Sequence, residues 1–138
     1  MKFQIVLLCL FFLVELNATP FYFKSYDMED GLSNNHVTCC VQDDYGFMWF
    51  GTRDGLNRFD SKKFYTFKSY SSEKGSLMSS YILDLAKSPT GQIWVSTNLG
   101  LQKYDYQTDS FTLIDFTKGI NCYSLQFDQQ GNLWMILN

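Results

Sequence analysis

At 138 residues, 46% hydrophobic and 18% charged, the chain has the length and composition of one folded domain, not of a disordered segment. A net charge of −3 supplies no basic surface for nucleic acid or an anionic membrane, and a single His without any Cys-x-x-Cys pair disfavours a metal centre. Aromatics reach 18%, with thirteen Phe, nine Tyr and three Trp, which favours strands over helices.

The first element reads as a targeting segment. Met1-Lys2 supplies a small positive start, and Ile5 to Val14 is an apolar run too short to span a bilayer as a helix. Small residues at Ala18 and Thr19 precede Pro20. These features predict a signal peptide over residues 1–18, export to the periplasm and no membrane span in the remaining chain. Leu8 is too large for a lipobox before Cys9. Removal of the leader leaves Cys39, Cys40 and Cys122, an odd number whose adjacent pair is poorly placed to bridge.

Beyond the leader the chain repeats itself. Phe23-Lys24-Ser25-Tyr26 returns unchanged as Phe67-Lys68-Ser69-Tyr70. Gly31 then matches Gly75, Leu32 matches Leu77 and Val37 matches Ile82. Gly46, Trp49, Thr52 and Gly55-Leu56 match Gly91, Trp94, Thr97 and Gly100-Leu101, and Phe59-Asp60 matches Tyr104-Asp105. A third copy begins at Asp128-Gln129-Gln130-Gly131-Asn132-Leu133-Trp134. Trp49, Trp94 and Trp134 are thus 45 and then 40 residues apart, a period that signals β-propeller blades of four short strands.

In chain order the strands are expected as follows. An unpaired outer strand lies at 21–26. A first blade over 32–70 holds strands near Val37–Val41, Phe47–Gly51, Leu56–Phe59 and Phe64–Tyr70. A second over 77–114 holds Ile82–Ala86, Ile93–Ser96, Leu101–Tyr104 and Phe111–Ile114. A partial third over 120–138 holds Cys122–Phe127 and Leu133–Ile136. Arg53-Asp54-Gly55 between two of these runs predicts a tight hairpin of the primed type, with Gly at positive φ. The fold class is therefore all-β, a set of four-stranded antiparallel sheets forming about two and a half blades of an incomplete ring. By the repeat columns Cys40 and Cys122 fall with apolar core residues, and Cys39 falls with Asp84 and Ser124 in a polar column facing the channel. The three Trp are expected between blades, and Asp43, Asp44 and Asp128 in turns before Gly.

These residues resemble the two-component regulator propeller repeat. Its pattern appears as Gly31-Leu32-Ser33-Asn34-Asn35-His36-Val37, followed by Asp43-Asp44-Tyr45-Gly46-Phe47-Met48-Trp49-Phe50-Gly51-Thr52-Arg53-Asp54-Gly55-Leu56-Asn57-Arg58-Phe59-Asp60. The second copy departs from it at Ser88-Pro89 and at Ser96, and the third reaches only as far as Asn138. The resemblance implies the periplasmic sensor end of a hybrid two-component system that senses polysaccharide-derived ligands. In such proteins a histidine kinase lies farther along the chain. No kinase residue is carried over to this sequence, so no enzymatic activity and no catalytic residue are expected in it. A seven-bladed ring at this period needs roughly 300 residues. That length predicts an N-terminal fragment of a longer sensor or a truncated gene remnant. The remaining blades or downstream sensor domains are then its partners, and a homodimer is the other way to cover its exposed faces.

Recognition is expected on the loops entering the inner strands and on the turns between second and third strands, which share one face of a propeller. Those positions are Asn34, Asn35, His36, Arg53, Asp54 and Asn98, as candidates for an oligosaccharide ligand. Arg53 is replaced by Asn98, and His36 by Tyr81, in the second copy. No metal or cofactor is expected. A hydrolase or lyase propeller would need convergent acid and base groups, which one His and scattered turn aspartates do not supply. A non-catalytic protein-interaction module is the remaining alternative.

Overall fold

A computed structural model describes residues 21–70 and 73–138. The signal-peptide expectation for 1–18 lies outside the described residues. Ten strands follow in order: β1 (Val37–Gln42), β2 (Met48–Thr52), β3 (Gly55–Phe59), β4 (Phe64–Phe67), β5 (Ile82–Lys87), β6 (Ile93–Thr97), β7 (Gly100–Asp105), β8 (Ser110–Leu113), β9 (Cys122–Phe127) and β10 (Leu133–Leu137). A single 3₁₀ turn at Asp115–Thr117 is the one helical element among the described residues. The strands form three antiparallel sheets, ordered β1-β2-β3-β4, β5-β6-β7-β8 and β10-β9. The architecture is all-β, and the sheets close no ring.

Local chemistry explains the hairpins. Asp43 accepts the Tyr45 and Phe47 amides at 3.0 and 2.9 Å, and Gly46 at φ +88° completes the turn from β1 to β2. At the other end of β2 the turn differs from the primed type expected from Asp-Gly. Thr52 pairs with Gly55, so Arg53 and Asp54 are the loop, and neither has positive φ. Gly55 does (+137°), but as the first residue of β3. Thr52 closes the turn instead: its hydroxyl accepts the Asp54 amide at 3.1 Å and donates to the Gly55 carbonyl at 2.8 Å. Thr97 repeats both bonds in the second sheet.

The sheets stack face to face, and each seam is an apolar layer. Between the first two lie Trp49 and Leu56 against Ile82, Leu85, Ile93, Val95, Tyr104 and Phe111. Ala86 and Leu101 with Cys122 and Leu125 fill the second seam, where Trp94 packs beside Phe127. Inner strands are covered on both faces where neighbours exist, which is why their apolar residues run together instead of alternating. The expected strand positions match within a residue or two, except at the edges. Phe64–Tyr70 ends as a strand at Phe67. Residues 21–26 form no strand: Phe21, Tyr22 and Phe23 are 87–95% exposed, because no described strand lies beside them to satisfy the backbone. Tyr26 instead packs edge-on against Phe59 and Phe64, 4.9 and 5.7 Å between ring centres.

Two cysteines also depart from expectation. Cys40 is exposed, not core, although its repeat equivalents Leu85 and Leu125 are buried. Those two residues point toward the preceding sheet, and for Cys40 no preceding sheet is present among the described residues. Cys39 packs against the apolar seam instead of facing a channel, and burial pushes its thiol up to about 11. The reason is a shift of register between Val37 and Cys39, repeated between Ile82 and Asp84, which turns the side chains beyond it to the opposite face. Cys122 is fully buried, as expected, and all three thiols are free.

Candidate functional site

The loop entering β1 and the β2–β3 turn are held together by a buried amide. Asn57 on β3 is fully buried; it accepts the Ser33 amide at 2.9 Å and donates to the Ser33 hydroxyl at 2.8 Å. The Ser33 hydroxyl lies 2.9 Å from that of Thr52. Because Thr52 gives its own proton to Gly55, Ser33 is the donor, and one chain of bonds runs from β3 through the loop to the turn. Gln102 does the same in the second sheet, accepting the Met78 amide at 2.7 Å and donating to the Ser76 carbonyl at 3.2 Å. This column escaped the sequence reading. Its signal is a carboxamide at the same point of β3 and β7, Asn57 and Gln102, directly after the repeated Gly-Leu.

On that frame the candidate residues fall into three groups. Asn34 and Asn35 are occupied locally: Asn34 accepts the His36 amide at 2.8 Å, and Asn35 accepts the Met28 amide at 2.9 Å. They shape the loop. His36 and Arg53 adjoin, the Arg53 amide donating to the His36 carbonyl at 3.3 Å, while both side chains are exposed. Asp54 pairs with Lys68 at 2.7 Å on the surface. Asn98 stands exposed at the tip of the next hairpin. The first two sheets are joined at this face by the Gly55 amide, which donates to the Ser80 carbonyl at 2.7 Å. That link brings Tyr81, the counterpart of His36, beside Arg53, and the two line an open depression of about 460 Å³. The structure thus joins His36, Arg53 and Tyr81 on one surface, with Asp54 beside them, and leaves Asn98 on the next turn along.

The opposite end of the strands is structural. Asp43, 4% exposed, accepts the Trp49 indole at 2.8 Å and the Tyr106 hydroxyl of the second sheet at 3.0 Å. Burial first, then the bond to Asp43, raises the Tyr106 phenol above its ordinary value. Asp44 is not a turn residue in the same sense: its carboxylate pairs with Lys87 across the seam at 2.5 Å. Arg58 donates to the Tyr104 hydroxyl at 2.7 Å and lies 5.6 Å from the Trp49 ring centre. Among the described residues no three His, Cys, Asp or Glu side chains gather into a group able to hold a metal, and no helix is long and apolar enough to cross a membrane.

Comparison with known proteins places this geometry. Residues 31–54 match the family model of the two component regulator propeller. Over 67 residues, 47% of this chain and 5% of the relative, it is 46% identical to histidine kinase P4 of Formosa agariphila. A crystal structure of the extracellular domain of a protein assigned as a hybrid two component system of B. thetaiotaomicron superimposes with a TM-score of 0.73 at 30% identity, over 84% of this chain and 18% of that one. A second extracellular domain from the same organism, assigned to a one component system, superimposes at 0.67 over 87% of this chain and 18% of the other; at 21% identity it bears on the fold alone. The chain spans less than a fifth of each of these relatives.

Proposed function

We propose that this chain forms part of the extracytoplasmic sensor propeller of a hybrid two-component system. In this reading it binds polysaccharide-derived ligands and passes the signal to a kinase beyond the described residues. The observation that carries the reading is the 30% identity and 0.73 TM-score over 84% of the chain to the extracellular domain of a hybrid two component system. The leader-like residues 1–18 support a periplasmic location. The rigid frame supports the recognition surface: exposed His36, Arg53 and Tyr81 rest on a loop-and-turn base whose polar groups are already satisfied by Asn57 and Thr52. An exposed guanidinium for ring hydroxyls and a tyrosine for the apolar face of a sugar suit a saccharide. The role is binding, not catalysis.

Calorimetric titration of the folded chain with a panel of neutral oligosaccharides tests this. Binding that weakens roughly tenfold or more in Arg53→Ala and Tyr81→Ala is the expected result, equal to about 1.4 kcal/mol or more. A folded sample that gives no heat with any of the panel counts against it. A second reading, a non-catalytic interaction module, is favoured by the exposed apolar residues on the outer faces of the first and third sheets, Val37 and Trp134 among them.

A further inference from the structure

At the end of the strands where Asp43 binds Trp49 and Tyr106, the inner polar groups are spent on structure, but the outer surface is not. Two aromatic residues stand there at positions that the other copies of the repeat fill with smaller or polar residues. Tyr45, two residues after Asp43, corresponds to Thr90 and Gln130. Tyr106, directly after Asp105, corresponds to Ser61 after Asp60. The fold of a blade therefore requires neither ring. They come from different sheets and meet across the first seam, their ring centres 5.0 Å apart and their planes tilted by 54°. Tyr106 is anchored: its hydroxyl donates to Asp43, and its ring lies edge-on to Tyr104 at 4.8 Å. Tyr45 rests against it and is 71% exposed. One exposed ring needs no explanation. Two rings that depart from the repeat and converge on a groove do.

Two depressions of about 480 and 190 Å³ open beside this pair, and Tyr45, Gln92 and Tyr106 line both. The larger has the size of small-ligand sites, roughly 300–1,000 Å³. Lys103, Asp105 and Gln107 also line it, and Asp44 lines the smaller. Gln92 is held by its Nε2, which donates to the Tyr104 and Ile93 carbonyls, while its Oε1 accepts no bond among the described residues. Asp105 and Gln107 are exposed. The charges balance: Asp44 pairs with Lys87 at 2.5 Å, and Lys103 offsets Asp105 in number. We propose that the Tyr45–Tyr106 groove is a second binding site, for a neutral saccharide, at the end of the strands opposite the Arg53–Tyr81 depression. A pyranose ring has an apolar C–H face and a rim of hydroxyls. The Tyr45 ring suits that face, and the Gln92 and Gln107 carboxamides with the Asp105 carboxylate suit the hydroxyls. The balanced charge gives an anionic sugar no advantage. The groove shares no residue with the Arg53–Tyr81 surface and does not rest on it.

Calorimetric titration of the full chain with cellotetraose, maltotetraose, xylotetraose and mannotetraose tests the proposal. It is run on an Arg53→Ala, Tyr81→Ala double variant, in which the other surface is silent. Binding of at least one of these sugars is expected to persist there and to weaken roughly tenfold or more when Tyr45→Thr is added. Tyr45→Thr installs the residue of the second copy, and an unchanged melting temperature confirms that the chain stays folded. Tyr45→Phe keeps the ring and is expected to bind as the double variant does. A double variant that binds none of the sugars, while the unaltered chain binds, leaves the Arg53–Tyr81 surface standing and overturns this site. Binding that Tyr45→Thr leaves unchanged overturns it as well, and so does a folded, unaltered chain that binds none of them. Tighter binding of tetragalacturonate than of every neutral sugar overturns the ligand class. A double variant that binds as tightly as the unaltered chain, and loses binding with Tyr45→Thr, supports this site and removes the other.

Discussion

Trp49 and Trp134 are the same residue of the same hairpin in two settings. Each donates its indole proton to an aspartate six residues earlier, at 2.8 and 2.9 Å, and each of those aspartates also accepts amides of its own turn. Yet Trp49 is fully buried and Trp134 is 65% exposed. The hairpin is thus a local structure whose polar bonds form without a neighbouring sheet. Burial is conferred later, by the sheet that stacks on it. Trp94 completes the comparison from the other side: it is half-buried, but Ser88 replaces the aspartate, and its buried indole nitrogen has no hydrogen-bond partner. Packing and polar satisfaction are separable contributions to the same position.

The largest break in that comparison comes from removing the rings. Trp49→Ala is expected to cost about 3–5 kcal/mol of unfolding free energy, since it empties a seam packed against Phe67 and Tyr104. Trp134→Ala is expected to cost under about 1 kcal/mol because solvent already reaches the ring. Urea unfolding midpoints separate the two, and equal losses would refute the account of burial. A smaller effect isolates the polar part. Tyr106→Phe deletes the cross-seam bond to Asp43 with little change of volume, and about 1 kcal/mol should be lost.

Smaller again, and opposite in sign, is Ser88→Asp. It supplies the missing acceptor for Trp94 and is expected to raise the melting temperature by a few degrees, corresponding to about 1 kcal/mol or less. No gain, or a loss, would show that the indole nitrogen is content as it stands.

The smallest effect concerns acid. Hydrogen bonds from Trp134 and Asn132 depress the Asp128 carboxyl from 3.8 to about 2. A folded-state value below the unfolded one means that this contribution is present above pH 3.8 and is lost as pH falls toward 2. Asp128→Asn should therefore flatten the acid limb of the stability curve in that interval, with the rest of the curve unchanged.

Most of the architecture was legible in the chain because the repeat carries it. Gly46, Trp49, Thr52 and Gly55 return at equivalent places, and each marks a turn or a strand start whose chemistry is local. The turn type was misread because Asp-Gly is a backbone signal, whereas here a side chain, Thr52, closes the loop. At the candidate site the sequence indicated loops that the fold brings side by side and, in Arg53 and His36, two residues that adjoin. It did not distinguish those from Asn34 and Asn35, whose amides are spent on neighbouring backbone. It also passed over Asn57 and Gln102, since a polar residue in a strand reads as exposed until its partners are known.

By itself, then, the sequence determined the strands, their order in each sheet and the motif that repeats, all of which depend on φ preferences, turn chemistry and contacts within about 45 residues. Tertiary structure alone decided which members of each repeated column are buried. Cys40 and Leu85 hold the same register, as do Trp49 and Trp134, but one of each pair has a sheet stacked on it and the other has water. Burial belongs to the pair of surfaces, and no single blade encodes both.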